Sequence, residues 1–355
     1  MASAAVSLVS KSLQQYIEKV WAANGNKEIG TAGEVYKLYG ESNLTKAALT
    51  WDVAEEYANA LLDLQRIGGS KCALTWQTRK TRGKQDDEGW VREQKEITSA
   101  LTTMKAEAVG GGEMASLATY DLLSNDFMHF LNLRVKEATT ERIYIHVKPP
   151  IPRNGYKVMR ALIHLFPTVP QLKSAKICAA CATDRVDSIV VYLTDSGTAD
   201  ELAAALGEAP ALNGCFERGV PLVVKEVSEG IGRVQEPPVT TPLYADDGVS
   251  EHPLRANPKM NEKGSRFLTE KTSFGTLHAE LIFTGLKRWR AKNPTAALSG
   301  KVPDALFAEI VAAYASEHIN PETPEQFPNR QKIERDFQDR LSAKAKQLNP
   351  NPKAS

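Results

Sequence analysis

Hydrophobic and polar residues alternate strictly in the segment ERIYIHVKP, residues 141–149. The apolar positions are Ile143, Ile145 and Val147, and the polar positions are Arg142, Tyr144, His146 and Lys148. On a β-strand this spacing places the two sets on opposite faces. The pattern predicts a strand with one apolar face. It leaves open whether the polar face is solvated or lines an anion-binding site.

Other apolar patterns predict the remaining helices and strands. Apolar residues at helical spacing predict helices over residues 4–23, 44–66, 155–166, 198–207, 273–293, 303–318 and 329–348. Strand-like runs predict a hairpin over 72–97 and single strands over 174–182, 187–195 and 219–227. The run DSIVVYLTD is nearly continuous in apolar residues, which is typical of a strand at the centre of a sheet. The polar segment 237–272 is long for a loop and is interpreted as functional or disordered.

The order of these elements predicts an α+β fold. A mainly helical N-terminal region with a small β-hairpin is predicted over residues 1–113. It is expected to pack on a mixed β-sheet domain with flanking helices over residues 114–320. A C-terminal helix and a frayed tail are expected over residues 321–355.

Composition and charge narrow the classes of protein. The chain has 355 residues and a net charge of +1, so nothing in its composition predicts nucleic acid or a membrane surface as a partner. It has no recognisable signal peptide and no apolar run of the ~18–20 residues that a membrane span needs, so a cytoplasmic location is expected. Among four cysteines only Cys178 and Cys181 have a suggestive spacing. Without a second pair, the sequence predicts reduced thiols and no metal site.

The polar face of the 141–149 strand is the first segment with candidate chemistry. Arg142 offers a planar guanidinium that suits a phosphate or a carboxylate. Tyr144 and His146 can each carry a proton to or from a reacting group. An exposed strand face would give the same pattern.

Two further segments carry candidate residues. Lys176 and Arg185 precede the predicted central strand, and a lysine amine can act as a base when neighbouring cations or burial lower its pKa. Ser273 is a good N-cap for the helix that contains His278, and backbone N–H groups at a helix N-terminus bind anions readily. The alternatives are surface cations at strand ends and an ordinary capped helix with a packed histidine.

The order of these motifs resembles that of a known family. A strand RIYIHV is followed by a helix, a lysine, an R-x-D-S strand ending in VVYL, G-I-G before E-P-P, and S-F-G at a helix start. This set resembles the HopA family of bacterial type III secreted effectors and its relatives in peptide natural-product clusters. Those relatives are lyase partners of a separate kinase in class V lanthipeptide and thioamide-peptide biosynthesis. The resemblance covers roughly residues 135–290, with a looser match in the helical N-terminal region and in NPETPEQFP.

The resemblance implies a phosphothreonine-lyase-like fold and a metal-free elimination that needs no cofactor. Phosphate leaves a phosphoserine or phosphothreonine of a peptide, and a dehydroamino acid remains. Lys176 falls at the position of the general base, and Arg142 and Arg185 fall at phosphate-contacting positions. Tyr144 falls where the phosphothreonine lyases have a histidine that acts as the general acid. His146, two residues further on, is therefore the alternative acid.

The remaining implications concern the substrate and the partners. Ser273 and His278 belong to the S-F-G segment, which is expected to contact phosphate or substrate, and His278 stands where relatives often have arginine. The resemblance implies a phosphorylated precursor peptide as substrate, and a peptide Ser/Thr kinase and a cyclase as partners. Two other hypotheses stay open. One is a non-catalytic subunit that binds a phosphopeptide or precursor peptide, and the other is a secreted effector that acts on a host phosphoprotein.

Overall fold

The computed structural model describes residues 8–76, 99, 127–298 and 300–348. The helices in these ranges are α1 (Lys11–Asn26), α2 (Ala32–Tyr39), α3 (Trp51–Gly68), α4 (Ile151–Leu165), α5 (Ser196–Glu208), α6 (Pro253–Ala256), α7 (Phe274–Lys292), α8 (Asp304–Ser316) and α9 (Arg330–Leu348). The strands are β1 (Cys72–Trp76), β2 (Met128–Asn132), β3 (Glu141–Ile145), β4 (Leu172–Ile177), β5 (Ile189–Leu193), β6 (Lys225–Ser228) and β7 (Ile231–Gln235).

These elements fall into two units. The sheet unit, Glu41–Gln235, contains α3 to α5 and the seven described strands. The helical unit, Met1–Gly40 with Glu236–Ser355, contains α1, α2 and α6 to α9. This grouping differs from the division predicted from the sequence, because its boundaries fall at residues 40 and 235 rather than 113 and 320.

The described strands form one sheet in the order β1-β2-β4-β5-β3-β7-β6. Every neighbouring pair is antiparallel, so the mixed sheet predicted from the sequence is replaced by an antiparallel one. The reason is that α4 joins two parallel strands, β3 and β4, that are not neighbours, and β5 lies antiparallel between them. β5 stands fourth of seven, which confirms that it is central.

One face of the sheet packs against α3, α4 and α5. Ile143, Ile145 and Val147 lie in this core cluster, as their alternation predicts. Fully burying such side chains contributes roughly 1.5–3 kcal/mol each, so the register of β3 is fixed from this side. Arg142 and Tyr144 lie outside the cluster and project from the opposite face of the strand.

Helix α7 is the centre of the helical unit, where it packs against α2 and α8. Two glycines allow this close packing. A Cβ atom at Gly275 would lie only 2.7–2.9 Å from ring atoms of Tyr36 and Tyr39 on α2. A Cβ atom at Gly285 would lie 2.7 Å from the Cα of Ile310 on α8.

Several predicted helices and strands are present with shifted ends. The helix predicted over 44–66 begins only at Trp51, because the Thr50 side chain accepts a hydrogen bond from the backbone N–H of Val53 and caps it. The helix predicted from residue 155 begins at Ile151, and Pro152 is tolerated in its first turn. The strand predicted over 174–182 ends at Ile177.

The sequence patterns overlooked α2 and β7. Helix α2 begins with a capping box between Thr31 and Glu34, which is a local signal present in the sequence. Strand β7 contains Gly232, which made the segment look like a loop. The second half of the predicted hairpin lies outside the described residues. So does the segment GGGE at 110–113, whose glycines would interrupt a helix or strand.

Candidate functional site

The face of the sheet opposite the core, called here the polar face, carries three of the seven predicted site residues: Arg142, Tyr144 and Lys176. Lys176 of β4 pairs with Val190 of β5, and Val190 pairs with Tyr144 of β3, so the three lie in one row across the sheet. Residues paired directly across antiparallel strands point to the same face. The backbones of Lys176 and Tyr144 are about 10 Å apart, because each strand spacing is about 4.8 Å. Their long side chains can therefore reach a common substrate atom.

Arg142 and Tyr144 form a buried pair on this face, with exposed fractions of 7% and 3%. An Nη atom of Arg142 donates a hydrogen bond of 3.3 Å to the Tyr144 hydroxyl. A guanidinium can only donate, so the phenol oxygen accepts here and its own hydrogen is directed elsewhere. The Cζ atom of Arg142 also lies 5.1 Å from the ring centroid of Tyr192, the residue of β5 that pairs directly with Arg142. These contacts fix a positive charge beside a phenol.

Lys176 and Arg185 lie against the same aromatic ring. The Lys176 Nζ atom is 4.0 Å from the ring centroid of Phe127, and the Arg185 Cζ atom is 5.5 Å from it. Both distances are within the range of a cation–π contact. The ring thus brings together two cations that are separated by a strand connection in the sequence.

Arg185 also forms a bidentate ion pair with Asp187. Its Nε and Nη2 atoms lie 2.8 Å from the two carboxylate oxygens, and the carboxylate is almost fully buried. Such paired charge-assisted hydrogen bonds are strong. A phosphate that binds Arg185 must therefore share this guanidinium with Asp187.

His146 is buried, and its Nδ1 atom lies 2.8 Å from the Arg218 carbonyl oxygen. A carbonyl only accepts, so Nδ1 carries the proton and Nε2 is unprotonated. Burial lowers the pKa of His146, which favours this neutral form. Nε2 is buried and has no hydrogen-bond partner among the described residues. In this state His146 cannot donate a proton from Nε2, whereas the Tyr144 hydroxyl can.

His129 and Tyr192 are polar-face residues that the sequence analysis missed. His129 pairs directly with Lys176, and its ring centroid is 5.6 Å from that of Tyr192. The alternation in MHFLN was the available signal, since Met128 and Phe130 are core residues and His129 lies between them. The sequence around His129 is ambiguous between helix and strand, so this alternation does not by itself predict a strand.

Ser273 and His278 belong to the helical unit. Ser273 is the N-cap of α7, as predicted, and its Oγ accepts a hydrogen bond of 3.2 Å from the Thr276 backbone N–H. His278 is completely buried, with Nδ1 2.8 Å from the Tyr314 hydroxyl and its ring against Phe274. Burial lowers the pKa of His278 to about 3, so the ring is neutral. A neutral ring inside the helical unit is not supported as a phosphate contact.

The described residues contain no cluster of three or more metal-ligating side chains. None of the described helices is long and apolar enough to cross a membrane. The sheet unit does place an amine, a phenol and two guanidinium groups on or beside one sheet face. An amine can take a proton, a phenol can give one, and guanidinium groups can stabilise a phosphate.

The fold and this face define an α+β protein with an antiparallel sheet and a candidate anion site. The model for the HopA1 effector protein family matches residues 118–252, a segment that contains β2 to β7. The chain is thus similar to the HopA1 effector protein family over less than half of its length. The resemblance inferred from the motifs is confirmed.

Two solved structures share this fold over most of the chain. One is "The structure of the effector protein from Pseudomonas syringae pv. tomato strain DC3000", at 15% identity and a TM-score of 0.54, covering 89% of this chain and 98% of that one. The other is "The structure of the effector protein from Pseudomonas syringae pv. syringae strain 61", at 15% identity and a TM-score of 0.52, covering 90% and 98%. The α+β fold is therefore confirmed. No curated protein matches the sequence.

Proposed function

We propose that the chain is a lyase that removes phosphate from phosphoserine or phosphothreonine of a peptide. The proposal rests on one observation: Lys176 and Tyr144 lie in one row of the polar face, and Arg142 donates a hydrogen bond to Tyr144. A base on β4, and an acid and a cation for the leaving group on β3, thus project from one face of the same sheet, with β5 between the two strands. Strands hold such groups more rigidly than loops do.

The reaction is an elimination across the Cα–Cβ bond of the phosphorylated residue. In the proposed step the Lys176 amine takes the Cα proton, and the electron pair of that C–H bond forms the Cα=Cβ double bond. The Cβ–O bond breaks, and its electrons leave with the phosphate. The Tyr144 hydroxyl gives its proton to the departing phosphate. The products are a dehydroamino acid and inorganic phosphate.

Fixed positive charge lowers the barrier because negative charge gathers on the leaving group. Arg142 is held in place by Tyr144 and Tyr192. Arg185 is held by Asp187 and Phe127. Both guanidinium groups would contact phosphate oxygens. Ser273 organises the first turn of α7, and its contact with substrate stays a prediction.

The biological setting of this chemistry is part of the proposal. A separate peptide Ser/Thr kinase would supply the phosphorylated precursor peptide, and a cyclase would use the dehydroamino acid, as in lanthipeptide-type biosynthesis in the cytoplasm. The alternative is a secreted effector that acts on a host phosphoprotein. That alternative is favoured by the two structural relatives, whose descriptions name effector proteins.

Mass spectrometry of phosphopeptides tests the proposal. Incubation of synthetic phosphoserine and phosphothreonine peptides with the full chain should give products that have lost phosphoric acid. Lys176→Ala should lower the rate by at least about 10²-fold, because general base catalysis alone contributes about 10²–10⁴-fold. Lys148→Ala is the matched control, since Lys148 is an exposed lysine just beyond β3.

Three outcomes separate the alternatives. Loss of phosphoric acid with wild type and Lys148→Ala, but not with Lys176→Ala, supports the lyase. Tight phosphopeptide binding without any mass change, even with a kinase and its peptide present, supports a non-catalytic binding subunit instead. Full activity in Lys176→Ala contradicts the assignment of this residue as the base.

A further inference from the structure

The helical unit contains a cavity of about 250 Å³ that plays no part in the proposed elimination. It is lined by residues of α2 and α7 and of the segment between residues 242 and 270. Its polar lining consists mainly of Tyr36, Tyr244, Asp246, His252, Glu270 and Glu280. Three of these six side chains are carboxylates, which raises the question of what neutralises them.

Glu280 is the decisive residue, because it is 97% buried. Its Oε2 atom accepts a hydrogen bond of 3.0 Å from the Leu243 backbone N–H, but Oε1 reaches the Tyr244 N–H only at 3.5 Å. It forms no ion pair within the part of the chain that is described. Burial raises the pKa of Glu280 to about 7 although Arg255 opposes the shift, so ionising this buried carboxyl is costly and a cation placed beside it would lower the cost. A cationic ligand would supply that positive charge.

The walls and the rim suit the same kind of ligand. Asp246 and Glu270 are exposed at the rim, where they add negative potential. Two tyrosine rings, Tyr36 and Tyr244, line the walls, and aromatic rings attract organic cations. The Tyr244 ring already lies 5.2 Å from the Nζ atom of Lys287.

An anion is the obvious alternative ligand, since the N-terminus of α2 also lines the cavity. A helix N-terminus is equivalent to about half a positive charge. Most backbone N–H groups at this N-terminus already have acceptors. The Ala32 N–H donates to the Gly248 carbonyl at 3.1 Å, and Thr31 and Glu34 form a capping box. Three carboxylates outweigh what remains, so the cavity favours a cation.

We propose that this cavity binds the ammonium or guanidinium group of a lysine or arginine side chain that a peptide or protein partner presents. A cavity of about 250 Å³ has room for such a side chain, since a water molecule occupies about 30 Å³. The charged head would meet Glu280, and the methylene stem would lie between the tyrosine rings. All lining residues belong to the helical unit, so this site does not depend on the proposed lyase.

Calorimetric titration of the full chain tests the site with small probes. N-acetyl-lysine amide or N-acetyl-arginine amide should bind with a dissociation constant of about 1 mM or lower, equivalent to about −4 kcal/mol. N-acetyl-norleucine amide has a similar stem without the charge and should not bind. Glu280→Gln should weaken binding of the cationic probe at least tenfold. Glu262→Gln, which removes an exposed carboxylate outside the cavity, should leave binding unchanged.

A rim variant keeps the test decisive if Glu280→Gln does not fold. Glu270→Gln changes an exposed residue and should weaken binding about threefold, by removing one surface charge interaction. The proposal is overturned if wild type shows no binding at probe concentrations of about 20 mM, far above the expected dissociation constant. It is also overturned if norleucine amide binds equally well. Unchanged affinity in a folded Glu280→Gln, or in Glu270→Gln where only that variant folds, overturns it too.

Discussion

At the scale of single residues, hydrogen-bonding partners decide which group on β3 or just after it can give a proton. The sequence leaves Tyr144 and His146 as equal candidates because both alternate with the core positions. The structure separates them: His146 holds its only proton against the Arg218 carbonyl, while the Tyr144 phenol accepts from Arg142 and keeps its own hydrogen for another partner. His146 is therefore left without a proton on Nε2.

Substitution of the two candidates tests this choice. Tyr144→Phe keeps the ring in place and removes only the hydroxyl, so the elimination rate should fall by about 10²-fold or more. His146→Gln keeps a side chain that can donate to the Arg218 carbonyl, so the rate should stay within a few-fold of wild type. The rates are measured by release of inorganic phosphate. The opposite ranking of the two variants would assign the acid to His146.

Glu280 makes the stability of the helical unit depend on pH. The pKa of this carboxyl is about 7 in the folded chain against 4.5 for the free group, mainly because of burial, with Glu317 adding to the shift and Arg255 opposing it. The folded chain therefore binds an extra proton between about pH 4.5 and 7. Its stability should fall by up to about 3 kcal/mol as pH rises through that window.

Denaturant unfolding at pH 5 and pH 8 measures this effect. Glu280→Gln cannot ionise, so its free energy of unfolding should change less between the two pH values than that of wild type. The other titrating groups are common to both proteins and cancel in the comparison. Parallel pH profiles for wild type and Glu280→Gln would show that Glu280 does not titrate in this range.

At the scale of elements, α7 depends on glycine where it crosses α8. A Cβ atom at position 285 would lie 2.7 Å from the Ile310 Cα and 2.8 Å from its backbone nitrogen, and neither backbone atom can move without moving α8. Alanine normally gains about 1 kcal/mol over glycine within a helix. At this position overpacking exceeds that gain.

Gly285→Ala should therefore destabilise the helical unit by up to about 2 kcal/mol, since overpacking a core costs about 1–3 kcal/mol and the helix preference for alanine offsets about 1 kcal/mol of it. Gly197→Ala is the matched control, because Gly197 is exposed in α5 and its nearest neighbour, an Asp195 carboxylate oxygen, would be 3.5 Å from the new Cβ. That control should be neutral or slightly stabilising. Thermal unfolding of the two variants gives the comparison, and equal midpoints would contradict the close packing of α7 on α8.

Sequence patterns predict elements well where one local signal dominates. The period-two alternation of β3 and the apolar run of β5 gave the correct faces and the central position. Sequence patterns leave the choice open where the deciding contact is distant: His278 could be a substrate contact or a packed histidine, and only Tyr314, on another helix, shows that it belongs to the core. Strand β7 is not predicted from the sequence, because Gly232 interrupts its apolar pattern.

At the scale of the whole molecule, chain order and structural grouping differ. The first 40 residues and the last 120 belong to one unit, although nearly two hundred residues separate them. The boundary at Gln235 lies at the end of β7, just before two prolines and the polar segment 237–272, but nothing local shows that the residues beyond it join the first 40. Long-range contacts such as those between α2 and α7 create this unit. A division read along the sequence cannot include them.

The bidentate pair between Arg185 and Asp187 has a consequence for selectivity. An anion that binds Arg185 must compete with the Asp187 carboxylate that is already bound to it. A glutamate side chain carries one negative charge, as Asp187 does, so it gains little binding energy by replacing Asp187. A phosphomonoester carries nearly two charges and three acceptor oxygens, so it competes more strongly. In the proposed lyase, the pair would favour a phosphorylated residue over its acidic mimics. A peptide with glutamate in place of phosphoserine should inhibit the elimination at least about tenfold less than a phosphopeptide competitor, and Asp187→Asn should reduce that difference.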